Sequence, residues 1–73
     1  MTIYVRFSET ERYDPMKDCE VARFMATTEK GSYHTEVPIE GTASLRTRRK
    51  AFKELVVEYI REGKNPCEVN LAA

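Results

Sequence analysis

Ile3-Tyr4-Val5-Arg6-Phe7-Ser8 alternates apolar and polar side chains, the period of two that marks a strand with one covered face. In such a strand Ile3, Val5 and Phe7 face a core, while Tyr4, Arg6 and Ser8 face outward. The alternation then stops. Glu9 to Asp18 reads as a long polar loop, with Asp14-Pro15 inside it, because the residue before a proline is biased away from helix. A connection of about ten residues exceeds the usual hairpin length, so the loop is either mobile or used for contact.

Cys19 to Thr28 reads as a second strand, with Ala22, Phe24 and Ala26 on one face and Val21 and Met25 on the other. A strand that is apolar on both faces is central, carries a bulge, or leaves a binding surface partly uncovered. Glu29-Lys30-Gly31-Ser32 suits a hairpin loop, since Gly31 can take a positive φ. Tyr33 to Ile39 returns as a third strand, with Tyr33, Thr35, Val37 and Ile39 opposite His34 and Glu36. Pro38 has no N–H, which places it at an edge or a strand end.

Beyond the Gly41 turn the period changes. Leu45, Phe52, Leu55, Val56, Tyr59 and Ile60 share one face of a helix, with Thr42 or Ser44 as its N-cap. Gly63 suits the C-cap and Pro66 blocks continuation. Cys67-Glu68-Val69-Asn70-Leu71 alternates again, giving a fourth short strand. The expected fold is α+β, in the order β-β-β-α-β: a small antiparallel sheet of three to four strands with one amphipathic helix packed on one face. The other face of the sheet is left for function.

Composition narrows this little. The chain has 73 residues, read as a single domain over 1–73, and hydrophobic and charged residues make up 41% and 33%, as in a well-solvated globular protein. No apolar run approaches the ~18 residues that a membrane span needs. No basic start followed by an apolar stretch marks a signal peptide, so the cytoplasm is the expected compartment. There Cys19 and Cys67 are expected as reduced apolar fillers, although they can pair if they face each other. With His34 the only histidine, no zinc set is available and no cofactor is expected.

Net charge is zero, but it is segregated. Residues 1–43 hold five basic and eight acidic side chains, and residues 44–73 hold seven and four. That polarity suits steering onto a charged partner, or it is an ordinary solvated surface. Arg46, Arg48, Arg49, Lys50 and Lys53 crowd the start of the helix, where cations oppose the macrodipole. They fit an anionic partner; alternatively Lys50 and Lys53 pair with Glu54 and Glu58. Arg46, Arg48 and Arg49 have no comparable acidic neighbours within the helix. Tyr4 and Arg6 pair an aromatic with a guanidinium, as protein hot spots and base-stacking platforms both do.

Catalysis finds no footing. His34 has no partner at nucleophile spacing, and the pairs Glu9/Glu11 and Asp14/Asp18 have no cleft to desolvate them. Gly31, Gly41 and Gly63 are isolated, so no phosphate loop exists. The expectation is a protein that is not an enzyme.

Phe24-Met25-Ala26-Thr27, followed by Glu36-Val37-Pro38-Ile39, resembles the first hairpin of the small host RNA polymerase inhibitors of podoviruses, the gene 2 protein type. The helix and the late Cys67-Glu68-Val69 piece are similar in order and spacing, so the resemblance covers about residues 22–71. It implies a phage protein with a small sheet and one helix that binds host RNA polymerase and catalyses nothing. The implied effect is obstruction of transcription initiation, through a large subunit or the σ factor. Three departures stand out: Asn70-Leu71 replaces the arginines of the family's last strand, the helix starts basic rather than acidic, and Ile3–Ser8 adds a strand. Other short phage regulators bind polymerase elsewhere and alter termination as well as initiation.

The expected function is therefore phage-encoded regulation of host transcription in the host cytoplasm. Tyr4, Arg6 and Ser8 form the first candidate surface and Arg46, Arg48, Arg49, Lys50 and Lys53 the second. The alternatives are a sheet-type DNA-binding module, which zero net charge disfavours, and an antitoxin-like or anti-defence inhibitor of another host protein.

Overall fold

A computed structural model describes residues 4–39 and 44–71 of the chain. Three strands, β1 (Arg6–Asp14), β2 (Cys19–Thr28) and β3 (Gly31–Pro38), precede one helix, α1 (Leu45–Arg61). The strands form one antiparallel sheet in the order β1-β2-β3. The α+β class and the sheet-then-helix order agree with the pattern in the sequence. The expected core residue Ile3, the Gly41 turn and the alternative N-cap Thr42 lie outside the described residues.

The first strand is not where the alternation of Ile3–Ser8 puts it. β1 starts at Arg6 and runs through Glu9–Asp14, the stretch expected to be a loop, pairing residue by residue from Arg6 with Thr27 to Asp14 with Cys19. Only Pro15, Met16, Lys17 and Asp18 remain as the connection. The Met16 N–H donates to Asp14 Oδ1 at 2.9 Å, and Asp18 takes a positive φ of 50°, so the turn closes with local side-chain help. The polar run escapes the strand signature because β1 is an edge strand whose helix-side positions after Phe7 are Glu9 and Glu11, so no apolar alternation marks it. Only Tyr13 and Asp14 extend past the last β2–β3 pair, Val21 with Pro38.

β2 is apolar on both faces because it is the central strand. Ala22, Phe24 and Ala26 meet the helix and are buried with Tyr33, Val37, Phe52, Val56 and Val69. The expected helical stripe is the observed one: Phe52 and Val56 are buried, and Leu45, Leu55, Tyr59 and Ile60 pack against the core. The Phe52 ring lies 5.8 Å from Phe24 and 6.4 Å from Phe7, the latter edge-on. Burying one such side chain fully contributes about 1.5–3 kcal/mol. Phe7 is only partly covered, at 36% exposure, because β1 is an edge strand.

Both ends of α1 are closed by the sequence. Ser44 is the N-cap, its Oγ accepting from the Arg46 N–H at 3.2 Å. At the other end Gly63, at φ 77°, donates to Ile60, and Lys64 donates to Tyr59, the paired bonds of a Schellman ending. The chain then returns along β3. The fourth strand expected at Cys67–Leu71 shrinks to a single parallel bridge between His34 and Glu68: the His34 N–H donates to Cys67, and the Val69 N–H to His34. Val69 is fully buried, so this short segment still closes the core.

Candidate functional site

Strand pairing sorts the β1 side chains onto two faces. Arg6, Ser8, Thr10 and Arg12 share the face away from the helix with Arg23, Met25 and Thr27 of β2 and Ser32, His34 and Glu36 of β3. Among the described residues no helix covers this face. Its β1 members are exposed, and Met25 and His34 are half-buried in the middle. Arg6 and Ser8 therefore lie on the outward face, as their alternation implies. Tyr4 precedes β1 and is 77% exposed.

One ion pair crosses the open face. Arg12 Nη2 donates to Glu36 Oε2 at 2.8 Å, spanning β2 from one outer strand to the other. Val21, which register places between Arg12 and Pro38, is fully buried there although no helix lies over it. Arg23, next along β2, has its Nε buried with no hydrogen-bond partner among the described residues. An unmatched guanidinium nitrogen costs stability unless something supplies an acceptor.

The basic group of α1 is not on this surface. Arg49 and Lys53 turn inward toward β1 from the helix side. Arg49 Nε and Nη2 donate to Glu9 Oε1 and Oε2 at 2.5 and 3.0 Å. Hydrogen bonding to Arg49 holds the Glu9 carboxyl below its ordinary range; partial burial opposes this, and the charges of Arg49 and Lys53 reinforce it. Lys53 Nζ sits 5.2 Å from the centre of the Phe7 ring, a cation–π contact, and no ion pair with Glu54 or Glu58 forms among the described residues. Arg48 is half-buried, its Nε without a hydrogen-bond partner among the described residues, and only Arg46 and Lys50 stand free in solvent. The five cations thus divide: Arg49 and Lys53 hold β1, Arg46 and Lys50 face water, and Arg48 is half-buried.

The two candidate surfaces lie on opposite sides of the sheet. A pocket of about 170 Å³ opens between β1 and α1, lined by Phe7, Ser8, Glu9, Phe24, Arg49, Phe52 and Lys53. Thr10 and Arg12, hidden when Glu9–Asp18 is expected to be a loop, belong to the open face; Arg23 and Met25 join them from β2, where the sequence already sets Met25 opposite Phe24. No periodic signal in the sequence finds Thr10 and Arg12, because the intervening Glu9 and Glu11 are equally polar. No group of three or more His, Cys, Asp or Glu side chains is placed to hold a metal among the described residues, and both Cys19 and Cys67 are free thiols. No described helix is long and apolar enough to cross a membrane.

No family model, no curated protein and no solved structure matches the chain.

Proposed function

We propose that the chain is a non-enzymatic binding module, phage-encoded and acting in the host cytoplasm, that docks on host RNA polymerase and inhibits transcription initiation. The observation that supports a binding role is the open sheet face. It presents Arg6, Ser8 and Thr10 at its rim around half-buried Met25. A rim of polar groups around a partly covered apolar residue is how protein interfaces are built. Carboxylates of a large subunit or of a σ segment would pair with the exposed Arg6.

The choice of polymerase is supported by the resemblance of the Phe24–Thr27 and Glu36–Ile39 hairpin and the following helix to the small podovirus inhibitors. The tail supplies no cation in this reading: Val69 is buried, Leu71 packs on the core, and Asn70 stands exposed between them. The docking surface is then the sheet face, with Arg46 and Lys50 as a second contact.

The test is capture of partners from bacterial lysate by the tagged chain, followed by promoter-dependent transcription with the purified enzyme. Recovery of the large polymerase subunits, with capture lost in the folded variant Ser8→Glu/Met25→Glu, supports the reading. Their clear absence sinks it. A second reading has one observation in its favour: Arg6, Arg12 and Arg23 rise from one face of a three-stranded sheet. Duplex DNA binding that falls steeply with salt would select it; the Arg12–Glu36 pair, which occupies one of those three arginines, weighs against it.

A further inference from the structure

The outer edge of β1 is free of backbone hydrogen bonds among the described residues. His34 uses both its N–H and its C=O on the C-terminal segment. His34 and Met25 are therefore a non-hydrogen-bonded pair, so Met25 turns its own N–H and C=O toward Ser8. It follows that Arg6, Ser8, Thr10, Arg12 and Asp14 bond inward to β2. Phe7, Glu9, Glu11 and Tyr13 hold their N–H and C=O outward.

Exposed edges of nine residues are normally blunted by charge, and β1 carries five charged side chains in Arg-Phe-Ser-Glu-Thr-Glu-Arg-Tyr-Asp. Set against its own reverse, the strand has complementary ends, a cation at Arg6 and an anion at Asp14. Set antiparallel to a second copy about Thr10, the strand places Arg6 against the partner's Asp14, Ser8 against the partner's Arg12, and Phe7 against the partner's Tyr13. Each match occurs twice by symmetry. Phe7 and Tyr13 are two of the four large apolar side chains that the described residues leave exposed, and both lie on the helix side of the edge. The one like-charged match is Glu9 against the partner's Glu11, and Glu9 already has the Arg49 guanidinium beside it.

We propose that a second copy of this chain occupies the free edge of β1, pairing antiparallel about Thr10 to make a continuous six-stranded sheet with both helices on one side. Neighbouring registers are worse. Opposite residues on paired antiparallel strands must share a face, so the slip comes in steps of two. Slipping the centre to Glu9 sets Arg6 against the partner's Arg12. Slipping it to Glu11 sets two Glu11 carboxylates against each other and leaves Arg6 and Phe7 unmatched. In the proposed register the outward N–H and C=O groups of Phe7 and Glu9 bond those of the partner's Tyr13 and Glu11. Thr10 meets the partner's Thr10 as a non-hydrogen-bonded pair, with Cα atoms about 4.5 Å apart.

That last separation gives a register-specific test on the full chain. In a Cys19→Ser/Cys67→Ser background, Thr10→Cys should form a disulfide-linked dimer under mild oxidation, since the spacing is within disulfide reach. Ser8→Cys should not, because two Ser8 positions lie about 13 Å apart along the paired strands. Sedimentation of the native chain should show a monomer–dimer equilibrium, with Arg6→Glu weakening it by roughly tenfold through two repulsive contacts with Asp14. Adding Asp14→Lys should recover most of that loss. A monomer at every concentration up to millimolar overturns the proposal, as does equal cross-linking at Ser8→Cys and Thr10→Cys. The cysteine scan reads position in folded protein, so it decides the matter even if Asp14→Lys loosens the turn that Asp14 caps.

Discussion

Arg49 on α1 reaches back 40 residues to Glu9 on β1 and grips both carboxylate oxygens. Each residue interrupts an apolar stripe, Arg49 that of the helix and Glu9 that of the strand face beneath it. The two interruptions meet. Part of the charge segregation between the halves of the chain is thus spent inside the fold, joining an acidic hairpin to a basic helix. Glu9→Gln should cost about 0.5–1 kcal/mol, discounted because the Arg49 side chain is 42% exposed. The folded-state carboxyl is depressed, so its contribution is present above the ordinary value of 4.5 and disappears as pH falls through the lower folded value. Urea unfolding from pH 6 down to about pH 3 should therefore show a steeper acid loss in the native chain than in Glu9→Gln.

Phe52 joins α1 to both β2 and β1 through its ring contacts with Phe24 and Phe7. Phe52→Ala should cost about 3–5 kcal/mol, most of what a domain of this size has, and leave a chain without a cooperative thermal transition. Met16→Ala, at the exposed hairpin tip, should leave the transition unmoved. A cooperative, near-native transition in Phe52→Ala would show that the helix is not held through this ring.

Gly31 closes the β2–β3 hairpin at φ 133°, and a Cβ there would sit 3.3 Å from Pro66 Cγ. Gly63 also has a positive φ, yet a Cβ there would meet nothing within 4 Å. Gly31→Ala should therefore cost more than Gly63→Ala, each at about 1 kcal/mol or above. Pro66→Ala in the Gly31→Ala chain should recover the steric part and leave the backbone part. Denaturant midpoints of the three variants separate the two causes.

The Tyr33 hydroxyl donates to the Lys64 carbonyl at 2.6 Å, tying β3 to the segment after the helix. Tyr33→Phe should cost about 1 kcal/mol. The loss should be local as well as global: amide exchange at His34 and Val69, which hold the C-terminal bridge, should quicken more than exchange in β2.

Tyr13 donates to the Asp18 carboxylate across the first turn, and this hydrogen bond raises the phenol above its ordinary value of 10.0. Asp18→Asn should lower the titration midpoint of the tyrosinate absorbance band that belongs to Tyr13. Removal of Tyr13 by Tyr13→Phe identifies that band. An unshifted midpoint in Asp18→Asn would mean that the turn does not hold this contact in solution.

Which parts of the fold can be seen in the sequence follows from which side chains are covered. Wherever one face is buried the period survives, so β3, the helix stripe and the Ser44 and Gly63 caps are legible. β1 is legible only while Phe7 lies over the core; from Glu9 onward its covered position is filled by a charge with a partner far away in sequence, and pattern alone cannot join Glu9 to Arg49. The same distance hides the fate of the basic group. When only neighbouring turns are considered Arg49 looks free and Lys53 looks paired with Glu54 or Glu58, and both are engaged by a strand. The open face was half legible, through Arg6 and Ser8, and its remainder became visible once Thr10 and Arg12 joined the strand.

The parallel bridge at His34 has a consequence for stoichiometry. It occupies the middle of the far side of β3, where Pro38 supplies no donor at the end, so among the described residues β1 is the edge left open along its whole length. Association through β1 then terminates at two copies. Without residues 67–71 the molecule would have a growing side on each flank, and a finite pair would become an open-ended fibre.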